Sequence, residues 1–195
     1  MKRAFVSDGG VQNASIISSF HCPQNDTLNL LMQDKVIIVS GGAGGIGAEV
    51  CARLAAEGAI VVVADLNAAQ AQAQAARIAT APGRALGLAC DITKAGQCEA
   101  LAQAAFEKFD RVDGMVNCAG FSKPHDSLTL PPPDWAFMVD VQLNGAFYLA
   151  QACAKRMTSA GGAIVFITST NAEAAFPRRA AYCCAKAGVA MLTKV

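Results

Sequence analysis

A phenol and an ammonium stand four residues apart near the end of the chain, at Tyr182 and Lys186, with the hydroxyl of Ser169 thirteen residues before the tyrosine. On a helix, positions i and i+4 share a face, so the two side chains would be neighbours. A free phenol titrates near ~10 and exchanges protons poorly at neutral pH. A cation held beside it favours the phenolate and brings the group toward a useful range. A serine hydroxyl nearby could hydrogen-bond a substrate oxygen that gains or loses charge. That is the outline of a carbonyl/alcohol redox site. A Tyr-x-x-x-Lys pair is equally an ordinary exposed helix pair, so the elements that would position it must decide.

Those elements alternate along the chain. Val36–Ser40 is a β-branched run with the composition of a strand buried on both faces. Residues 60–64 repeat the pattern, and residues 85–90, 114–118 and 163–168 give three further strands. Helices are predicted over 45–57, ending at Gly58, over the Ala/Gln-rich 68–79, stopped by Pro82-Gly83, and over 94–109. Pro131-Pro132-Pro133 precedes a long helix from Asp134 to about Ser159, and a last helix begins at Ala180. Such alternation makes a parallel sheet covered by helices on both faces, a three-layer α/β fold. Residues 1–33 lack periodicity and are rich in Ser, Asn, Gln and Gly. They read as a poorly ordered extension, leaving one domain over 34–195. Met32, just ahead of the first strand, is a candidate for the true start of the protein.

Composition narrows the class. Apolar residues make up 53% of the 195 residues and charged ones 16%, which excludes a disordered chain. A formal net charge of +1 gives no electrostatic case for nucleic acid or an anionic membrane surface. No apolar run approaches the ~18 residues that span a bilayer. Met1-Lys2-Arg3 is followed only by Ala4-Phe5-Val6, too short a stretch for a signal peptide. The eight cysteines form no Cys-x-x-Cys pair, and Cys51, Cys90, Cys118 and Cys153 lie in apolar segments, where cysteine acts as a small hydrophobe. His21 and His125 are far apart, so no zinc site is expected. The expectation is a soluble cytoplasmic protein with reduced thiols.

The strand at Val36–Ser40 runs into Gly41-Gly42-Ala43-Gly44-Gly45-Ile46-Gly47 and then a helix. Glycines there let the backbone turn tightly and approach a pyrophosphate at the helix N-terminus. Asp65 closes the next strand, eighteen residues beyond Gly47. A carboxylate in that place can accept both ribose hydroxyls of an adenosine and repels a 2′-phosphate. No Arg or Lys lies in the loop or directly after Asp65, which favours NAD over NADP. The plainer alternative is a glycine turn with Asp65 capping the next helix. The full strand–loop–helix–strand–Asp context favours dinucleotide binding.

The spacing Gly41-x3-Gly45-x-Gly47, followed by Asn117-Cys118-Ala119-Gly120, Ser169 and Tyr182-x3-Lys186, resembles the short-chain dehydrogenase/reductase family. Ser40 stands where the family's glycine pattern opens with Thr, Cys118 replaces the second Asn of Asn-Asn-Ala-Gly, and Asp91-Ile92 matches the family's Asp before an aliphatic residue. The resemblance runs from about residue 33 to the end of the sequence. It implies a Rossmann-type doubly wound sheet, with about five of the usual seven strands present. It also implies a hydride exchange between a nicotinamide and an alcohol or ketone substrate. Tyr182 would be the general acid/base, Lys186 would lower its pKa and bind the nicotinamide ribose, and Ser169 would polarise the substrate carbonyl. Ser40, Gly41, Gly45, Ile46 and Gly47 would hold the pyrophosphate, Asp65 the adenosine ribose, and Asp91 with Ile92 the adenine. Asn117, Ala119 and Gly120 would lie beside the cofactor, with Asn117 stabilising the central strand. Family members commonly pair as homodimers or homotetramers.

Two features depart from the family pattern. Where the family has Asn-x-x-Gly on the long helix, this chain reads Gln142-Leu143-Asn144-Gly145, so Gln142 takes the place of an amide that holds a water in the proton relay. Gln has the same amide on a longer arm, and a modified relay is expected. Only nine residues follow Lys186, and family members continue through two more strands and a substrate loop. A sheet ending at five strands would leave an apolar edge uncovered. The expectations are therefore an NAD-dependent alcohol/carbonyl oxidoreductase or, alternatively, a truncated nucleotide-binding fragment without turnover. The stripe Trp135, Val139, Leu143 and Phe147 fits either core packing or a dimer face. Adjacent Cys183 and Cys184 are expected to pack rather than form a strained vicinal disulfide.

Overall fold

The structure is a computed structural model that describes residues 31–157 and 161–195. Five strands form one sheet: β1 (Val36–Ser40), β2 (Ile60–Asp65), β3 (Ala85–Ala89), β4 (Gly114–Asn117) and β5 (Ala163–Phe166). All neighbours are parallel, in the order β3-β2-β1-β4-β5. Side chains alternate across a pleat, so the β-branched run of β1 serves both faces. Val36 and Ile38 join Leu101, Ala105 and Leu149 under α3 (Ala95–Phe109) and α5 (Gly145–Ala154). Ile37 and Val39 join Cys51, Ala55 and Ala71 under α1 (Gly45–Ala56) and α2 (Ala68–Ile78). Burial on both sides is what a continuous apolar strand requires, and the doubly wound α/β architecture follows.

The thiols belong to this packing. Cys51, Cys98 and Cys153 have no exposed surface, and burial pushes the Cys51 and Cys153 thiols up to about 12. Cys184, by contrast, is exposed on the last helix and Cys183 half-buried, so the packing expected of that pair fails for Cys184.

The segment expected as one regular helix from Asp134 is a composite. It begins at Pro132 with α4 (Pro132–Val139), continues as a π-helical turn over Asp140–Asn144, and becomes α5 at Gly145. Prolines are tolerated in a first turn, where their missing N–H has no intrahelical acceptor. The Gly145 N–H reaches back five residues to the Asp140 carbonyl, which defines the widened turn. Met138, Gln142, Ala146 and Leu149 face the core. Trp135 and Phe147 are 40% and 43% exposed, so these two members of the stripe are not core, while Val139 and Leu143 are half-buried.

Residues 1–30 of the expected extension lie outside the described residues. Its last part belongs to the domain: Met32 and Asp34 donate backbone hydrogen bonds to the Glu57 and Gly58 carbonyls at 3.1 and 3.0 Å. At the other side of the sheet β5 pairs only with β4 among the described residues, and Val165 on it is 47% exposed. No helix among the described residues is long and apolar enough to cross a membrane.

Candidate active site

The chain leaves β1 toward β2 on one side of the sheet and passes to β4 on the other, so the loops after β1 and β4 diverge and open a crevice at their carboxyl ends. The loop after β1 starts at Gly41 with φ +63°, and a Cβ there would come 2.8 Å from the Ala119 backbone. Only glycine allows that turn and that approach. Below it the Ser40 hydroxyl donates to the Asn117 amide oxygen at 2.5 Å, both residues fully or nearly buried, and ties the end of β1 to the end of β4. Asn117 thus holds strands together. Gly47 packs against Gly41, Gly45 opens α1, and the Ile46 side chain on its first turn is exposed.

Asp65, at the end of β2, faces the same loop. One carboxylate oxygen accepts from the Ala43 N–H at 3.2 Å and the other from the Asn67 N–H at 3.3 Å. The cap of α2 is Asn67, which accepts from the Gln70 N–H at 3.1 Å, so Asp65 is not the helix cap. A cleft of about 440 Å³ runs from Asp65 past Gly41, Asp91 and Ile92 to Ala119 and Gly120, with Phe121, Phe137 and Val141 at its far end. No lysine or arginine lines it. Asp91 accepts from the Thr93 N–H and hydroxyl at 3.0 and 2.7 Å and stands just ahead of α3, at the wall of the cleft. Ile92 serves both the cleft wall and the core under Gly145.

Beyond β5, Ser169 caps a 3₁₀ turn over Thr170–Ala172, its oxygen accepting from the Asn171 N–H at 3.1 Å. That bond uses an acceptor lone pair and leaves the hydroxyl proton free to donate. The last helix, α6 (Ala180–Leu192), packs on this turn, on the π-helical turn and on α4. It carries Tyr182 half-buried and Lys186 only 6% exposed. The Lys186 ammonium donates to the Ile167 carbonyl at 2.7 Å and lies 5.8 Å from the centre of the Tyr182 ring. Burial pulls the Lys186 pKa below the ordinary lysine value.

Gln142 sits on the π-helical turn with almost no exposed surface. Its amide N–H donates to the Phe121 carbonyl, while its amide oxygen is buried without a partner. Gly120 is what makes room, since a Cβ there would lie 2.7 Å from that oxygen. Asn144 instead donates to the Asp140 carboxylate at 2.7 Å, away from this point.

Tyr182 also lines a second, smaller hollow of about 130 Å³ together with Phe121, Phe137, Lys123, Arg178 and Arg179. Sequence reasoning passed over these residues, although the Arg178-Arg179 pair directly ahead of the helix that bears Tyr182 was a visible signal.

A family model described as short chain dehydrogenase matches residues 35–195. The chain belongs to the short-chain dehydrogenase family. Among its relatives is the D-threitol dehydrogenase of Mycolicibacterium smegmatis, 39% identical over 165 residues, covering 84% of this chain and 64% of that protein. The 7alpha-hydroxysteroid dehydrogenase of Escherichia coli K12 is 34% identical, covering 85% of this chain and 65% of its own. Among solved structures, the sorbitol-6-phosphate 2-dehydrogenase SrlD from Erwinia amylovora superposes with a TM-score of 0.77 at 34% identity, over 80% of this chain and 63% of that one. This short-chain dehydrogenase thus spans just under two thirds of the length of these relatives. The family uses nicotinamide cofactors, and the crevice above the β1–β4 junction is where the fold presents one.

Proposed function

We propose that the chain interconverts an alcohol and a carbonyl with NAD, using Ser169, Tyr182 and Lys186. The observation that carries this reading is the burial of the Lys186 ammonium beside the Tyr182 ring, with Tyr182 lining a hollow that meets the Asp65 cleft at Phe121 and Phe137. The cleft fits a dinucleotide: the Gly41 turn offers backbone rather than side chain to a pyrophosphate, and the Asp65 carboxylate suits paired ribose hydroxyls. With no cation on its lining, a 2′-phosphate would meet Asp65 unopposed, which favours NAD over NADP.

When bound there, the nicotinamide supplies the hydride acceptor or donor. The protein's residues handle the oxygen. Tyr182 takes the alcohol proton at its phenol oxygen in the oxidative direction and returns it in the reductive one. Lys186 stabilises the phenolate, its position fixed by the Ile167 carbonyl. Ser169 donates its free hydroxyl proton to the substrate oxygen, which gains charge as the carbon is reduced. The unpartnered Gln142 oxygen is a buried acceptor at the helix position of the family's relay amide, and on this reading it serves in that relay. The relatives named for threitol, sorbitol 6-phosphate and a hydroxysteroid are consistent with a secondary alcohol as substrate.

The lining of the Asp65 cleft lacks Ser169, Tyr182 and Lys186, which favours a second reading, nucleotide binding without turnover. Fluorescence titration with NADH and NADPH, followed by NAD-dependent oxidation of a panel of secondary alcohols, separates the two. Turnover abolished by Tyr182→Phe is the expected result. NADH binding with no turnover of any panel member would establish the second reading instead.

A further inference from the structure

We infer that the hollow beside Tyr182 selects an anionic substrate, an alcohol or ketone carrying a phosphate or carboxylate at its far end. The inference rests on the alcohol/carbonyl reading of Tyr182 and specifies its substrate class. Three cations line the hollow, Lys123, Arg178 and Arg179, against one carboxylate, Asp134. His125 lies on the same wall. Tyr182, the group proposed to exchange the proton, is part of the lining, so a molecule seated there can reach it.

These cations do not serve the cofactor. The hollow and the dinucleotide cleft share two residues, Phe121 and Phe137, whose rings pack with centroids 5.5 Å apart where the two spaces meet. Asp65 and the glycine loop lie on the cleft side, and all three cations on the other. An overall charge of only +1 makes the local excess a feature of this wall rather than of the whole chain.

The cations are also held toward the opening in different ways. Arg179 is half-buried and donates to the Ser122 hydroxyl, a neutral partner that leaves its charge uncompensated. Arg178 occupies the left-handed region at φ +61°, uncommon outside glycine and asparagine. Its carbonyl is pinned by the His125 N–H at 2.8 Å, which joins the lip before α6 to the loop after β4. Lys123 is exposed and only 3.7 Å from Asp134, a loose pair that an incoming anion can recruit. Planar guanidinium groups suit two-point contact with a carboxylate or phosphate. At about 130 Å³ the hollow suits a short chain of a few carbons rather than a bulky ring system.

Equilibrium binding tests this without requiring turnover. The full chain is titrated with glycerol 3-phosphate, glycerate and glycerol, read by the fluorescence of Trp135, its only tryptophan, and by calorimetry. At least one anion is expected to bind about tenfold or more tightly than glycerol, and to weaken as salt rises. Which anion binds better distinguishes a phosphate ester from a carboxylate. The double variant Lys123→Gln, Arg178→Gln alters two exposed side chains, and its melting temperature checks that it folds. It should reduce the preference for the anion severalfold or more. Equal binding of all three ligands, or a preference untouched by the double variant, would overturn the inference. NADH titration of the same samples reports separately on the cofactor reading, so failure of one is not failure of the other.

Discussion

Lys186 holds its ammonium 5.8 Å from the centre of the Tyr182 ring while donating to the Ile167 carbonyl at 2.7 Å. The cation is therefore positioned by backbone at the end of β5 and does not depend on the phenol for its place. Removing the phenol oxygen should leave the lysine where it is. Tyr182→Phe is expected to lower kcat by about 10²–10⁴-fold, the usual worth of a positioned acid/base, with NADH affinity changed by less than about threefold. Steady-state kinetics and a fluorescence titration check both halves. A variant that loses NADH affinity in proportion to kcat would assign Tyr182 to binding instead.

Burial of the same lysine carries a pH signature. Because its pKa is lowered in the folded chain from an ordinary 10.5, the unfolded chain holds that proton more tightly. In the window between the lowered value and the ordinary one, stability therefore rises with pH. Lys186→Met removes the titrating group and should abolish that rise, while also losing turnover. Urea denaturation of both proteins at a series of alkaline pH values measures it, and parallel pH slopes would contradict the assignment.

The unpaired oxygen of Gln142 makes an unusual demand on mutagenesis. Gln142→Met removes the unpaired oxygen but also the N–H that donates to the Phe121 carbonyl, so it should cost about 1 kcal/mol of stability, the net worth of one such bond. It should also turn over more slowly, because the amide acceptor is gone. Gln142→Asn shortens the arm, and turnover should change in that variant too. If turnover of Gln142→Asn equals that of the parent, the residue lies outside the relay.

On the NAD reading proposed above, Asp65 sets the choice of dinucleotide through one carboxylate against a lining without cations. Asp65→Asn keeps the size and removes the charge. The ratio of NADPH to NADH dissociation constants should fall by about tenfold, since one like-charge repulsion is worth roughly that much near a surface. An unchanged ratio would place the 2′-oxygen elsewhere.

Local signals made most of this architecture readable. The β-branched runs of β1 and β2, the glycines ahead of α1 and the stop at Gly58 each act within a few residues, and β1 falls on Val36–Ser40 as its composition predicts. What escaped depends on long-range contacts. The π-helical turn at Asp140–Asn144 arises where the helix must bring Gln142 inward against Gly120 and Phe121, residues twenty or so positions away. The 3.6-residue stripe through Trp135 and Phe147 fitted core or a dimer face, and the exposure of those two side chains removes the core option for them. The hollow of Lys123, Arg178 and Arg179 was hidden for the same reason, since two loops more than fifty residues apart build it. Ser169 was picked out by its offset from Tyr182, and its free hydroxyl proton could be assigned only once Asn171 was seen to occupy its acceptor side.

At the end of the sheet remote from the site, Asp113 is a carboxylate through which acid should weaken the fold. Its carboxylate accepts from the Val36 N–H at 2.9 Å, from Arg111 at 2.7 and 2.5 Å, and from Lys35 at 3.3 Å, fastening the start of β4 to the start of β1. Burial alone would raise its pKa, but these donors, Arg111 foremost, outweigh burial and hold it below the ordinary 3.8. A lowered carboxylate contributes stability that is fully present above the ordinary value and lost as the pH falls through the lowered one. Asp113→Asn should thus cost about 1–3 kcal/mol at neutral pH, the range for losing charge-assisted bonds at a largely buried group. The cost should shrink toward zero in acid, where the parent carboxyl is itself protonated. Urea melts of parent and variant at pH 7 and in steps down to pH 3 test this, and a gap that stays constant across the series would show that the carboxylate charge is not what joins the two strands.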